Sequence, residues 1–203
     1  MTTKCNDVST IYDDVPFCLG QKSVPGLKRY VFIASNRDIV KWPKWPDINS
    51  AKSLEELAVL DGNFTLAADK VWIKVELAPK ENEFVSESQG TFPNKTFKNT
   101  ANLVAPGTEQ KVTGLVNAIL NDEIVALVPQ ANGRCRCIGN ETWSPDLNVG
   151  QNTGKAETDA SQTPITIEGI DFVSAPFYDG EILTSDGVYM GSTCMPKADA
   201  EDV

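Results

Sequence analysis

Alternation of apolar and polar residues dominates the chain and predicts strands far more often than helices. Residues 28–34 (Lys-Arg-Tyr-Val-Phe-Ile-Ala) are rich in aromatic and β-branched types and read as a buried strand. Val71, Ile73, Val75 and Leu77 alternate with Trp72, Lys74 and Glu76, so residues 70–77 form a strand with one face to a core. Residues 63–67 are expected to pair with it across a tight turn at Ala68-Asp69. Further strands are predicted over 99–105, 123–128, 134–138 and 163–172, with Gly169 as a bulge, and over a hairpin at 181–190. Asn132-Gly133 stands between two of these runs and predicts a two-residue type I′ turn.

One segment carries helical spacing. In residues 108–121, Val112, Leu115, Val116, Ile119 and Leu120 fall on one stripe, and Thr108 is placed to cap the start. A capping-box spacing at Ser53-Leu-Glu-Glu56 predicts a short second helix. The expected fold is therefore mainly β with one flanking helix, in a single domain over 1–203. Residues 1–19 read as an N-terminal extension and 191–203 as a loose acidic tail.

Two stretches interrupt the alternation. Residues 79–97 are polar, punctuated by Pro79, Gly90 and Pro93, and carry Phe84, Phe92 and Phe97. A connection of that length is functional or disordered more often than not, and three phenylalanines argue against disorder. It either folds onto its own domain or serves as an arm that docks on a neighbouring subunit. Residues 143–161 form a second polar loop. Trp42-Pro-Lys-Trp-Pro46 is an extended loop, because proline lacks the N–H that a ladder needs.

The 203 residues carry a formal charge of −10 and no histidine. The acidic balance argues against a protein that grips nucleic acid, since grip comes from cations that neutralise phosphates. The missing histidine removes Ser-His-Asp and Cys-His schemes and the commonest transition-metal ligand. Cys5, Cys18, Cys135, Cys137 and Cys194 show no disulfide or zinc spacing and read as small apolar residues in a reducing compartment. Arg134 and Arg136 alternate with Cys135 and Cys137 and are expected on a solvated face or opposite a neighbour's carboxylates. Adjacent acidic pairs at Asp13-Asp14 and Asp122-Glu123 do not make a catalytic dyad, and no phosphate loop or nucleophile elbow is present. No enzyme activity, cofactor or metal is expected. The longest apolar run, 124–128, cannot span a bilayer, and residues 1–17 do not read as a signal peptide. Trp42, Trp45, Trp72 and Trp143 keep one rival alive, a carbohydrate-binding module with stacking rings.

The order of elements resembles the tail tube (major tail) proteins of phages that infect Bacteroides-like bacteria. The resemblance is carried by Gly26-Leu-Lys-Arg-Tyr-Val-Phe-Ile-Ala34, Asp61-Gly-Asn-Phe-Thr-Leu-Ala-Ala-Asp-Lys70, Val85-Ser-Glu-Ser-Gln-Gly90, the helix ending at Asn121-Asp122 and Glu123-Ile-Val-Ala-Leu-Val128. Asn132-Gly-Arg-Cys-Arg-Cys-Ile-Gly139 and Asn152-Thr-Gly-Lys-Ala-Glu-Thr-Asp159 continue it, so it spans about residues 20–180. It implies a β-sandwich or barrel-like core flanked by the one helix, in a structural virion protein that assembles in the host cytoplasm. Six copies would form a ring, and rings would stack into a tube that contacts other tail proteins and passes DNA without holding it. Long loops in that family reach between subunits, which fits 79–97 and its Phe84, Phe92 and Phe97. A tail terminator or connector ring is the neighbouring alternative.

Overall fold

The structure, a computed structural model, describes residues 11–16, 18–20 and 22–197. In chain order the strands are β1 (Tyr30–Ser35), β2 (Ile39–Lys41), β3 (Val59–Leu60), β4 (Thr65–Leu66), β5 (Ile73–Glu76), β6 (Glu83–Gln89) and β7 (Thr96–Pro106). The helix α1 (Gln110–Ile119) follows. After it come β8 (Ile124–Pro129), β9 (Cys135–Ile138), β10 (Asp146–Val149), β11 (Gln162–Asp171), β12 (Phe177–Tyr178), β13 (Glu181–Thr184), β14 (Gly187–Met190) and β15 (Met195–Pro196). The protein is mainly β with one α-helix among the described residues, in a sandwich-like arrangement.

A six-stranded sheet, ordered β3-β12-β9-β8-β1-β5, lies at the centre, and a four-stranded sheet, β10-β11-β7-β6, covers one of its faces. Period two sorts the side chains between two cores. Val31, Ile33, Ile124, Ala126, Val128 and Ile138 meet Leu103, Ile165 and Ile167 of the four-stranded sheet. Phe32, Ala34, Val125, Leu127, Cys135 and Cys137 point the other way, to Phe64, Trp72, Tyr178, Ile182 and Cys194. The small sheet β13-β14-β15, the β2-β4 ribbon and the loop through Trp42 and Trp45 cover that second face. All six residues of β8 are buried, and burial on both faces is why its sequence is a continuous apolar run instead of an alternation.

Several local expectations are corrected. Strands β4 and β5 do not pair with each other; β4 joins β2 and β5 joins β1. Trp72 causes the divergence, because it is 2% exposed in the second core while Val75 and Leu77, five residues or fewer away, sit in the first. The chain therefore passes from one layer to another between 66 and 73. Ser53–Glu56 makes capping-type bonds without a helix: Glu56 N–H donates to Ser53 Oγ at 3.4 Å, and its carboxylate accepts from Lys52 N–H at 2.7 Å, over a simple turn.

The 79–97 segment is not a structureless loop. Its residues 83–89 are β6, paired in unbroken antiparallel register with β7 from Glu83↔Asn102 to Gln89↔Thr96. Ser86 and Asn99 bond across that pair at 2.6 Å, so polar side chains here satisfy one another on the inner face. Likewise the 143–161 loop contains β10, which pairs with β11.

Gly169 is not a bulge, since β11 and β7 stay in register from Gln162 to Asp171. It is small because a Cβ there would stand 2.9 Å from Ile138 Cγ2 of the facing sheet. The turn after β8 is longer than type I′. Gly133 N–H donates to Gln130 C=O, and only Gly133 takes positive φ, at +91°, so the bend is a β-turn followed by a left-handed glycine. Residues 191–197, expected to be loose, hold β15 and the buried Cys194. The rest of the acidic tail, 198–203, and residues 1–10 lie outside the described residues.

Candidate assembly surface

The four-stranded sheet turns its second face outward, and the register determines what stands on it. Asp146, Glu168, Thr100 and Val85 form one row across the strands, and Asn148, Thr166, Asn102 and Glu83 form the next. Ile170, Lys98 and Glu87 make a third. Their neighbours in sequence, Ala101, Leu103, Ile165 and Ile167, are core residues, so these rows face away from the protein. The rows carry four carboxylates against one ammonium, Lys98, which sits 3.0 Å from Glu168. They carry no aromatic ring. This is a flat, polar, net-acidic face.

Among the described residues, both sides of this sheet end on strands with a single partner, β10 and β6. Adjacent strands all run antiparallel, so β6 and β10 run in opposite directions. Each edge presents unpaired backbone donors and acceptors to which another chain can add.

The three phenylalanines expected to act as one arm are separated by the β6–β7 hairpin. Phe84 packs against the inter-sheet core, with the Arg136 guanidinium 5.5 Å from its ring centre. Phe97 is half-buried in β7 opposite Asp171. Phe92 stands at the hairpin tip, 89% exposed and with no ring contact. A deletion through 84–95 would thus remove core as well as tip.

The helix stripe is also divided. Ile119 is buried, Leu115 packs against the core, and Val112 and Val116 are half-buried, while Leu120 is 51% exposed. The N-cap position is Glu109, and no side chain caps it. Thr108 instead bonds Ser161 through its hydroxyl at 3.0 Å.

Three of the four tryptophans converge. Trp42, Trp45 and Trp143, joined by Phe172, line an open groove of about 360 Å³ together with Lys44 and Glu141. Trp45 is held by its Nε1–H, which donates to Asp171 Oδ2 at 2.9 Å, and Asn140 Nδ2 donates to the same oxygen at 3.0 Å. Trp143 and Phe172 contact at 4.9 Å between ring centres, and Phe172 is 69% exposed. Trp72 takes no part, since it packs on Phe64 in the second core. Phe172, expected as the last residue of the strand 163–172, lies just past the end of β11, and only the return of β11 to the 140–145 segment brings it to the tryptophans.

Of the two arginines at 134 and 136, Arg134 is exposed as expected and Arg136 is not. Arg136 is not on a solvated face: its guanidinium lies 4.0 Å from the Phe177 ring centre, Nη1 donates to Ala175 C=O at 2.8 Å, and Nε has no partner. Burial lowers its pKa. Cys135, Cys137 and Cys194 behave as core residues, whereas Cys18 is exposed and Cys5 lies outside the described residues. Burial pushes the thiols of Cys135 and Cys137 up, which keeps both neutral and weakly nucleophilic. Among the described residues no group of three or more acidic or cysteine side chains is arranged to hold a metal ion, and no helix is long and apolar enough to cross a membrane. No protein-family model, curated protein or solved structure matches the chain.

Proposed function

We propose that this protein is a structural subunit of a phage tail tube, which closes into rings of six that stack into a conduit for DNA. The observation that carries the proposal is the pair of open edges that run in opposite directions. Adding β10 of a second copy to β6 of the first, with the sheet face kept on one side, continues an antiparallel ladder and repeats at every subunit. Such repetition closes on itself and leaves no edge exposed. The outer face of the four-stranded sheet then lines the bore. Its surplus of carboxylates repels phosphates, so DNA slides past instead of sticking. Six copies and the tail itself come from the family resemblance, and the role is structural, without catalysis or a cofactor.

Light scattering after size exclusion, with electron micrographs of the purified protein, tests this. Rings and tubes that grow with concentration are the expected result. A monomer at ~1 mM, where even a contact worth about −4 kcal/mol is half formed, would overturn it. Closed rings that never stack would point to a terminator or connector, and monomers that bind glycans to a carbohydrate-binding module.

A further inference from the structure

We infer that the aromatic groove of Trp42, Trp45, Trp143 and Phe172 receives Phe92 from the hairpin tip of a neighbouring copy. The inference rests on the edge-to-edge assembly above and supplies its side-chain anchor.

Register places the two parts together. Gln89 is opposite Thr96, Phe97 is opposite Asp171, and Asp146 is opposite Glu168. The hairpin tip 90–95, Phe172 and the segment 140–145 therefore all lie at one end of the four-stranded sheet. The tip stands on its β6 side, and Trp143, three residues before β10, stands on its β10 side. When β6 of one copy adds to β10 of the next, the tip of the first copy comes beside the groove of the second. Within one chain β11 lies between β10 and the β6–β7 hairpin, and among the described residues Phe92 makes no ring contact.

The chemistry matches as well. Phe92 is an exposed apolar anchor on a strand-supported turn, followed by Pro93, Asn94 and Lys95. The groove offers ring faces for edge-to-face packing and a volume of about 360 Å³, small for a ligand site and suited to a ring with an adjoining proline. Among the described residues neither Glu141 at its rim nor Lys95 beside the anchor forms an ion pair, so docking brings opposite charges together. A buried aromatic anchor inside a polar rim is the usual anatomy of an energetically dominant contact.

The test uses the full chain. Phe92→Ala leaves the core intact, so its melting temperature should equal wild type, while its critical concentration for assembly should rise roughly 30-fold. Trp143→Ala should raise it similarly, and the two changes together should add little to either alone, as expected of side chains that meet each other. In a Cys5→Ser, Cys18→Ser background, Phe92→Cys and Thr142→Cys proteins should form a mixed disulfide-linked dimer when co-assembled and oxidised, and neither should form a dimer of its own kind. Wild-type rings together with normal assembly of Phe92→Ala and no mixed dimer would overturn the docking and leave edge pairing standing. A wild-type monomer would remove both. Quenching of tryptophan fluorescence by soluble β-glucan or galactan oligosaccharides, with assembly insensitive to Phe92→Ala, would assign the groove to sugars instead.

Discussion

Tyr178→Phe isolates what holds the third layer to the central sheet. The Tyr178 side chain is fully buried, with its ring 5.1 Å from that of Phe64. Its hydroxyl accepts from the buried Phe64 N–H at 3.2 Å and donates to Glu181 C=O at 2.8 Å, so it ties β12 to the loop before β4 and to the start of β13. Removing one oxygen leaves the packing intact and strands the Phe64 N–H without an acceptor. An unsatisfied buried donor costs ~1–3 kcal/mol, so about 2 kcal/mol is expected, or about 4–8 °C in melting temperature for a chain of this size. The same hydroxyl gives a second readout. Burial raises its pKa to about 12, against about 10 when exposed. The unfolded chain thus releases this proton first, so the stability is fully present below pH 10 and is lost as pH rises from 10 to 12. Two pKa units are worth roughly 2.7 kcal/mol in full, and about 1.9 kcal/mol of that is lost by pH 11.5, so the wild type should lose about that much more than Tyr178→Phe between pH 8 and pH 11.5. Thermal melts at pH 8 and urea unfolding at pH 8 and pH 11.5, both followed by tryptophan fluorescence, measure the two effects. A melting temperature within 1 °C of wild type at pH 8, or equal losses toward pH 11.5, would refute the assignment.

Other expectations follow from single contacts. Gly169→Ala drives a Cβ to 2.9 Å from Ile138 Cγ2 and should cost ~1–3 kcal/mol by equilibrium unfolding; no loss would mean that the two sheets have slack between them. Leu127→Ala, in the strand buried on both faces, should cost ~2–5 kcal/mol, whereas Leu120→Ala at the half-exposed helix end should stay below ~1 kcal/mol. Glu83→Lys with Glu87→Lys converts the outer face from four carboxylates against one ammonium to two against three. Assembled variant should then retain DNA on a filter in a salt-sensitive way while wild-type assemblies do not; equal retention by both would sink the bore assignment.

Local pattern was informative wherever one periodicity ran uninterrupted into one environment. The aromatic and β-branched run at 30–35, the apolar run at 124–129 and the stripe across 110–119 each corresponds to an element. Pairing was less legible. The β6 residues, Glu-Phe-Val-Ser-Glu-Ser-Gln, look like a loop because their inward positions include Ser86, which is satisfied by Asn99 and Ser174 instead of by apolar contact. The 63–77 hairpin failed because a turn between two strands does not say whether they share a sheet, and Trp72 drew the chain into another layer.

The candidate surface divides in the same way. Composition alone supplies the acidic balance, the absence of histidine and the four tryptophans. Only the fold decides that four carboxylates share one outward face, that three tryptophans meet Phe172 while Trp72 is sealed away, and that Phe84 belongs to the core and Phe92 to solvent. The physical reason is range. A strand's two faces are set by period two within a few residues, whereas what each face meets is set by partners tens of residues distant, and only register and layer order bring those together.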